Sequence, residues 1–449
     1  MASIAGAIAR IKRNPLGMLD RGVIEKICDD LNYDWRDGKL PPATTLALFI
    51  QQVLHGNTPC SEVRHIAGCS FTASAYCQAR IRLPLAACQT MLTRICDAAL
   101  PLTRERCHLF HGHRVFHVDG STFSMPDTPE LANVFGMPSG PKPGCAFPTA
   151  HLLVLFSAQT GLLLDAWASP LRTGDLSQIC EAHMHLDSGD VLIGDDCYGT
   201  YAHLALLLQA NLHGLFPVHH LRIVDFKRCR PHTVPGNKAV AGMPRSRWIK
   251  SLGKEDQLVE YFKPKETPLW MTKHEFDNLP ASIIVRELRR TVRRPGLGKV
   301  TLTLVTTLLD PEVYRAPELL ELRLRRWDVE TRLRHLKTTM NMDVLRCKTE
   351  EGVRKELAVF CLTYNMVCVV MMEAARRQEV PVARISFADA YKWIRHARPG
   401  DAMPKLMLVP RRPNRAEPRC KKRRAKQYDL MNKPRDVLRK ELKNKQKAA

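Results

Sequence analysis

Along the first hundred residues the apolar positions recur at three- and four-residue spacing, which predicts helices and no strands from Met1 to about Leu102. Thr44 is placed to cap a segment over residues 45–54, and Pro59 to open another that contains Val63 and Ile66. Gly68 punctuates the chain ahead of residues 73–83, whose polar positions include Gln78, Arg80 and Arg82. Helix, glycine turn and basic helix is the plan of a helix-turn-helix; an ordinary helical packing unit fits the same pattern equally well.

Near Arg114 the period changes to that of strands. Residues 115–118 form a short apolar run, followed by 150–157 and, after the turn at Gly161, by 162–166; another run at 191–194 leads into a helical stretch over 201–212. Strands that feed helices predict an α/β core. Between about Phe216 and Val305 strands and turns dominate, with alternation at 257–262, 283–288 and, beyond the Pro295-Gly296 turn, 300–306. This β-rich insert carries Trp248 and Trp270. Helical spacing returns from Pro317 to Arg377, and after about Ile385 the chain becomes basic.

Composition narrows the partners. With 45% apolar residues in 449, the chain builds a sizeable core, and its +23 net charge, from 68 Lys and Arg against 45 Asp and Glu, favours a polyanion: DNA, RNA or an anionic membrane. Residues 410–449 hold 16 Lys and Arg against 4 Asp and Glu, so about half of the excess sits in a tail that is either a solvated extension or a phosphate-binding arm. The longest apolar stretch, 357–375, contains Thr363, Asn365 and Glu373 and reads as a buried helix, not a membrane span. With no secretory pattern at the N-terminus, a cytoplasmic protein with no membrane partner is expected. The 15 cysteines include no C-x-x-C pair and read as reduced core residues. One cluster, Cys107, His108, His111, His113 and His117, would present three imidazoles on one strand face; a partly solvated strand is the simpler reading.

A polyanion-binding α/β chain directs the search to phosphodiester chemistry, which needs hard-oxygen ligands for Mg²⁺ at strand ends and on an inward helix face. Asp119 follows the run 115–118 and precedes Gly120-Ser121-Thr122, and Asp195 ends the run 191–194. Asp196 alternates away from whatever Asp195 faces. On a helix over 321–337, Arg326, Glu330 and Lys337 share a face, with Arg323 slightly further round and an apolar stripe of Leu322, Val329, Leu333, Leu336 and Met340 beside them. Taken singly, each Asp also suits a turn or cap, and the helix also suits a surface helix with ion pairs four residues apart.

Taken together, Asp119-Gly120-Ser121, Asp195-x-x-Tyr198 and Arg326-x-x-x-Glu330 with Lys337 after six residues resemble the three signature blocks of the bacterial insertion-sequence transposases of the DDE class. Arg323 stands where that family usually has Tyr, and Cys197 where it usually has Gly. The resemblance implies a ribonuclease H-like mixed sheet flanked by helices, interrupted by a β-rich insertion and preceded by an all-helical DNA-binding region. The implied divisions are a helical DNA-binding region at 1–105, a catalytic core in two parts at 106–215 and 306–385 around an insertion at 216–305, and a basic C-terminal region at 386–449. It further implies that Asp119, Asp195 and Glu330 are catalytic and hold Mg²⁺, with Mn²⁺ as a substitute, and that Arg326, Lys337, Arg323 and Tyr198 bind DNA. Partners would be transposon ends and target DNA, met by a homodimer in a synaptic complex, and Trp248 or Trp270 would hold a flipped base. The alternatives are a ribonuclease H-like structure-selective nuclease and a decayed or domesticated copy that binds DNA without cutting it.

Overall fold

The computed structural model describes residues 21–36, 38–67, 70–99, 109–139, 145–233, 240–294, 298–397, 401–410 and 431–448. Gly68, Cys107, His108, the Pro295-Gly296 turn and residues 411–430 of the basic tail lie outside them.

Among the described residues five helices come first: α1 (Arg21–Asp30), α2 (Pro42–Leu54), α3 (Cys60–Ala67), α4 (Ala73–Arg82) and α5 (Leu85–Ala99). Helix α2 starts at Pro42, two residues ahead of the expected cap Thr44, because a proline at the first turn gives up no hydrogen bond that the helix could use. The cap of α4 is Thr72, whose hydroxyl accepts from the Ala75 amide at 3.1 Å.

The sheet follows with β1 (Val115–Ser124), β2 (Thr149–Ser157), β3 (Leu163–Pro170), β4 (Val191–Ile193) and β5 (His213–Pro217). Helix α6 (Pro129–Phe135) lies between β1 and β2, a 3₁₀ turn (Asp175–Gln178) and α7 (Ile179–His183) between β3 and β4, and α8 (Tyr201–Gln209) between β4 and β5. Beyond come β6 (Ser246–Gly253), β7 (Asp256–Phe262), α9 (Lys273–Asp277), β8 (Ser282–Arg294) and β9 (Gly298–Thr306). All nine form one mixed sheet in the order β3-β2-β1-β4-β5-β9-β8-β7-β6. Strands β1, β4 and β5 run parallel, with α8 supplying the crossover that parallel neighbours require; the other pairs are antiparallel. The strands of the 216–305 segment therefore continue the central sheet, joined to it where Leu215–Pro217 of β5 pair with Leu304–Thr306 of β9.

The closing helices are α10 (Ala316–Leu324), α11 (Trp327–Arg334), α12 (Glu350–Gln378), α13 (Phe387–His396) and α14 (Arg435–Ala448). Helix α12 is the one described helix long and apolar enough to cross a membrane, and 94% of its apolar window is buried inside the protein, as its polar residues require. Asn365, fully buried, accepts from the Leu163 amide (2.9 Å) and donates to the Leu163 carbonyl (2.7 Å), which satisfies the start of edge strand β3. Glu356, also fully buried, accepts from the amides of Arg346 and Cys347 and from Asn57 of the N-terminal helices. Ile24, Phe49, Val53 and Met91 of those helices share a single hydrophobic cluster with Phe360, Met366 and Val370 of α12.

Candidate active site

Strands β1 and β4 hydrogen-bond in parallel over three residue pairs, the last being His117 with Ile193. Asp119 and Asp195 each lie two residues past that pair. Asp119 is within β1, opposite Val154 of β2, and its side chain is 14% exposed; Asp195 is extended and starts the 3₁₀ turn Asp196–Tyr198. The two carboxylates meet at one cation. Nη1 of Arg326 lies 3.1 Å from an Asp119 oxygen, and its Nη2 lies 2.9 Å from Asp195 and 3.8 Å from Glu330. Arg323 donates to the same Asp195 oxygen at 3.3 Å. Nε and Nη1 of Arg326 are buried yet make no hydrogen bond among the described residues, so the guanidinium neutralises charge without directing those N–H groups at the carboxylates.

The helix expected over 321–337 is not continuous. Between α10 and α11 the backbone tightens to i→i−3 bonds, from the amides of Arg326, Asp328 and Val329 to the carbonyls of Arg323, Arg325 and Arg326. A π-helical turn over His335–Thr339 then closes with the Met340 amide on the His335 carbonyl. A uniform 100° per residue therefore fails on both sides of Glu330. What the irregularities achieve is placement: Arg326 enters the site from the break, and Lys337, on the π turn, reaches Ser121 Oγ at 3.3 Å and Asp343 at 3.1 Å.

Burial pushes the Asp119 carboxyl up to about 6; Arg326 opposes this, and the charges of Asp195 and Asp175 reinforce it. The protein's own cations thus leave the cluster short of positive charge. Three carboxylates drawn to one guanidinium, the most buried of them still under-neutralised, fit a hard divalent ion as the missing charge. Beneath them His117 is completely buried, and desolvation with Arg332, Arg323 and Arg326 around it hold it neutral.

Asp175, a fourth carboxylate, was missed because Gly174-Asp175-Leu-Ser reads as an ordinary turn. It accepts from His151 Nε2 at 2.6 Å and from the Tyr198 hydroxyl at 2.9 Å. Burial raises its carboxyl, but those two bonds outweigh burial and hold it below the usual range. Tyr198 is fully buried, so it meets Asp175 and not the surface on which a direct DNA contact would form. Gly194 admits its ring, since a Cβ there would stand 3.0 Å from the Tyr198 Cγ. Cys197 lies 3.9 Å from Asp175, its thiol pushed up to about 12 by burial and the surrounding aspartates.

The expected histidine face does not form. His111 sits in a turn at φ 49° and pairs with Glu318, His113 bonds the Gly189 carbonyl and the Tyr314 hydroxyl, and His117 points inward from β1. A different group, Asp196 with His219 and His220, brings one ligand atom from each residue within 4.8 Å of the others. Trp248 and Trp270 are both half-buried.

These features place a cluster of carboxylates around one arginine on a mixed sheet, and comparison with known proteins assigns the class of the chain. The chain belongs to the transposase DDE domain family, whose model matches residues 110–366. It is 26% identical over 374 residues to the transposase InsG for insertion sequence element IS4 of Escherichia coli (strain K12), a match spanning 79% of this chain and 77% of that relative. Its activity is accordingly DNA transposition, by cleavage of DNA and transfer of strands, and a divalent metal is general to the family. Among solved structures, a piggyBac transposase synaptic complex with hairpin DNA aligns with 88% of this chain and 80% of its own at 9% identity and a TM-score of 0.41. A pre-cleavage Mos1 transpososome aligns with 40% of this chain and 61% of its own at 10% identity and a TM-score of 0.15. Neither superposition is close enough to bear on the fold.

Proposed function

We propose that Asp119, Asp195 and Glu330 form the catalytic carboxylate cluster of an insertion-sequence transposase, holding Mg²⁺, or Mn²⁺ in its place, between the middle of β1 and the end of β4. The observation that carries the reading is the convergence of all three on Arg326, at 3.1, 2.9 and 3.8 Å, from elements 76 and 135 residues apart in the chain. Bound there, a divalent cation supplies charge neutralisation at the attacking and leaving oxygens of the phosphodiester. Arg326, at the centre of the cluster, and Lys337, beside Ser121, would grip the phosphates that flank the scissile bond. Arg323, hydrogen-bonded to Asp195, would add a second guanidinium where relatives usually carry a tyrosine.

The wider reading follows from charge and placement. Strands β1 to β5 with α10 to α12 form the ribonuclease H-like core, β6 to β9 the insertion, and residues 1–105 the helical region that recognises transposon ends. The basic region 386–449 adds phosphate contacts, and the enzyme works as a homodimer on transposon ends and target DNA in the bacterial cytoplasm. Glu330→Gln tests the site, because it keeps the helix and its volume but removes a ligand charge. On a labelled transposon-end duplex, Mg²⁺-dependent cleavage should fall by orders of magnitude while the gel shift changes by a few-fold at most. Cleavage at the wild-type rate would remove Glu330 from the cluster and leave Asp328, on the same helix, to be tested.

A further inference from the structure

Two carboxylates that share a cation need a fixed separation, yet the sheet does not set it here. Hydrogen bonding between β1 and β4 ends at His117 and Ile193, so the backbone of Asp119 and of Asp195 continues two residues beyond the last rung. Past that point the strand and the turn are held together by side chains. Asp175 lies in the gap between them. One of its oxygens receives the Tyr198 hydroxyl (2.9 Å) from the turn that begins at Asp195. Its other oxygen receives His151 Nε2 (2.6 Å), and His151 stands on β2 directly opposite Thr122 of β1. The second ring nitrogen of His151 lies 3.3 Å from Ser169 Oγ on β3, so both ring nitrogens are tied and the ring is held in place for the Nε2 bond to Asp175.

Gly120 completes the fit. A Cβ at that position would stand 2.7 Å from the Asp175 Cγ, so any other residue after Asp119 would expel the carboxylate from the gap. The glycine in the first block is thereby explained by a residue that belongs to none of the three blocks.

We propose that Asp175 is a positioning residue of the catalytic centre: through Tyr198 and His151 it locks the strand that carries Asp119 against the turn that carries Asp195. The inference rests on the assignment of Asp119 and Asp195 as cation ligands. It gives Tyr198 a role inside the protein and makes Gly120, His151, Asp175 and Tyr198 one device. Groups behind metal ligands that orient them typically change metal affinity by about 10- to 100-fold when removed.

The test is titration of the full-length, metal-free protein with Mn²⁺, followed by calorimetry, for wild type, Asp175→Asn, Tyr198→Phe and the double variant, with the melting temperature measured for each. Each single substitution should weaken Mn²⁺ binding by about tenfold, and the double variant should be no worse than Asp175→Asn alone, because both break one bridge. Tyr198→Phe, which deletes one oxygen, should melt within a few degrees of wild type and carries the test by itself if Asp175→Asn does not fold. Wild-type Mn²⁺ affinity in Tyr198→Phe would overturn the proposal, whether Asp175→Asn retains affinity, which makes the bridge merely structural, or loses it, which makes Asp175 an independent ligand. An Asp119→Asn control distinguishes the failures. Should it bind Mn²⁺ as wild type does, the ligand assignment falls first; should it lose binding while Tyr198→Phe does not, only the positioning role falls.

Discussion

Asp119→Asn should make the metal-free protein more stable at pH 8, although it removes one of the proposed metal ligands. Burial has moved the Asp119 carboxyl from its ordinary 3.8 to about 6. A folded value above the unfolded one means that the folded state holds the proton more tightly. The associated stability is present below pH 3.8 and lost as the pH rises through 6. At about 1.4 kcal/mol per pH unit, a separation of roughly two units makes the ionised carboxylate cost the fold about 3 kcal/mol at pH 8, with about half of that already lost at pH 5. The amide removes this cost. The attraction of Arg326, 3.1 Å away, is already contained in that net shift and is not subtracted again. The gain is about 3 kcal/mol, visible as a rise of several degrees in melting temperature. Thermal unfolding at pH 5 and pH 8, with and without MgCl₂, is the assay. Wild type should lose stability between the two pH values and regain it with Mg²⁺; the variant should do neither. A variant that melts below wild type at pH 8 without metal, or a wild type whose stability is flat across the window, would refute the reasoning.

Other expectations are more direct. Arg326→Ala should weaken transposon-end binding and cleavage together, by about 1.5–3 kcal/mol, in parallel gel-shift and cleavage assays; a loss of cleavage with full binding would place Arg326 with the carboxylates and not with the phosphates. Deleting residues 410–449 should flatten the dependence of DNA affinity on salt, because each lost phosphate contact releases fewer counterions, and an unchanged slope would make the tail a solvated extension. Asn365→Leu should cost roughly 2–4 kcal/mol in urea unfolding, since it takes a buried partner from the Leu163 amide and leaves the Leu163 carbonyl to the weak Cys96 thiol donor; a cost under about 0.5 kcal/mol would show that β3 re-forms without it.

Of the residues proposed for the site, those legible in sequence have contiguous surroundings. Asp119 and Asp195 each follow an apolar run that becomes a buried strand, and the helical face of Arg326, Glu330 and Lys337 spans only 12 residues. What escaped depends on contacts across the sheet. Nothing near Gly174-Asp175 signals that His151 and Tyr198 converge on that carboxylate. The break before Trp327 and the π turn at His335–Thr339 lie within a stretch whose apolar stripe satisfies an ideal helix, so periodicity alone reads straight through them. Thr44 looked like a cap by residue type, but Pro42 had already begun the helix.

The single hydrophobic cluster that joins Ile24, Phe49 and Met91 to Phe360, Met366 and Val370 bears on how such an enzyme is re-targeted. Recognition modules that are strung on linkers trade places freely between relatives, because nothing but chain connectivity holds them. Here the N-terminal helices and α12 are two halves of one surface, pinned further by Asn57 on Glu356 and by Lys355 on the Ile81 carbonyl. On the proposed reading of those helices as the region that recognises transposon ends, a chimera that imports them from another element must bring the facing side of α12 with it.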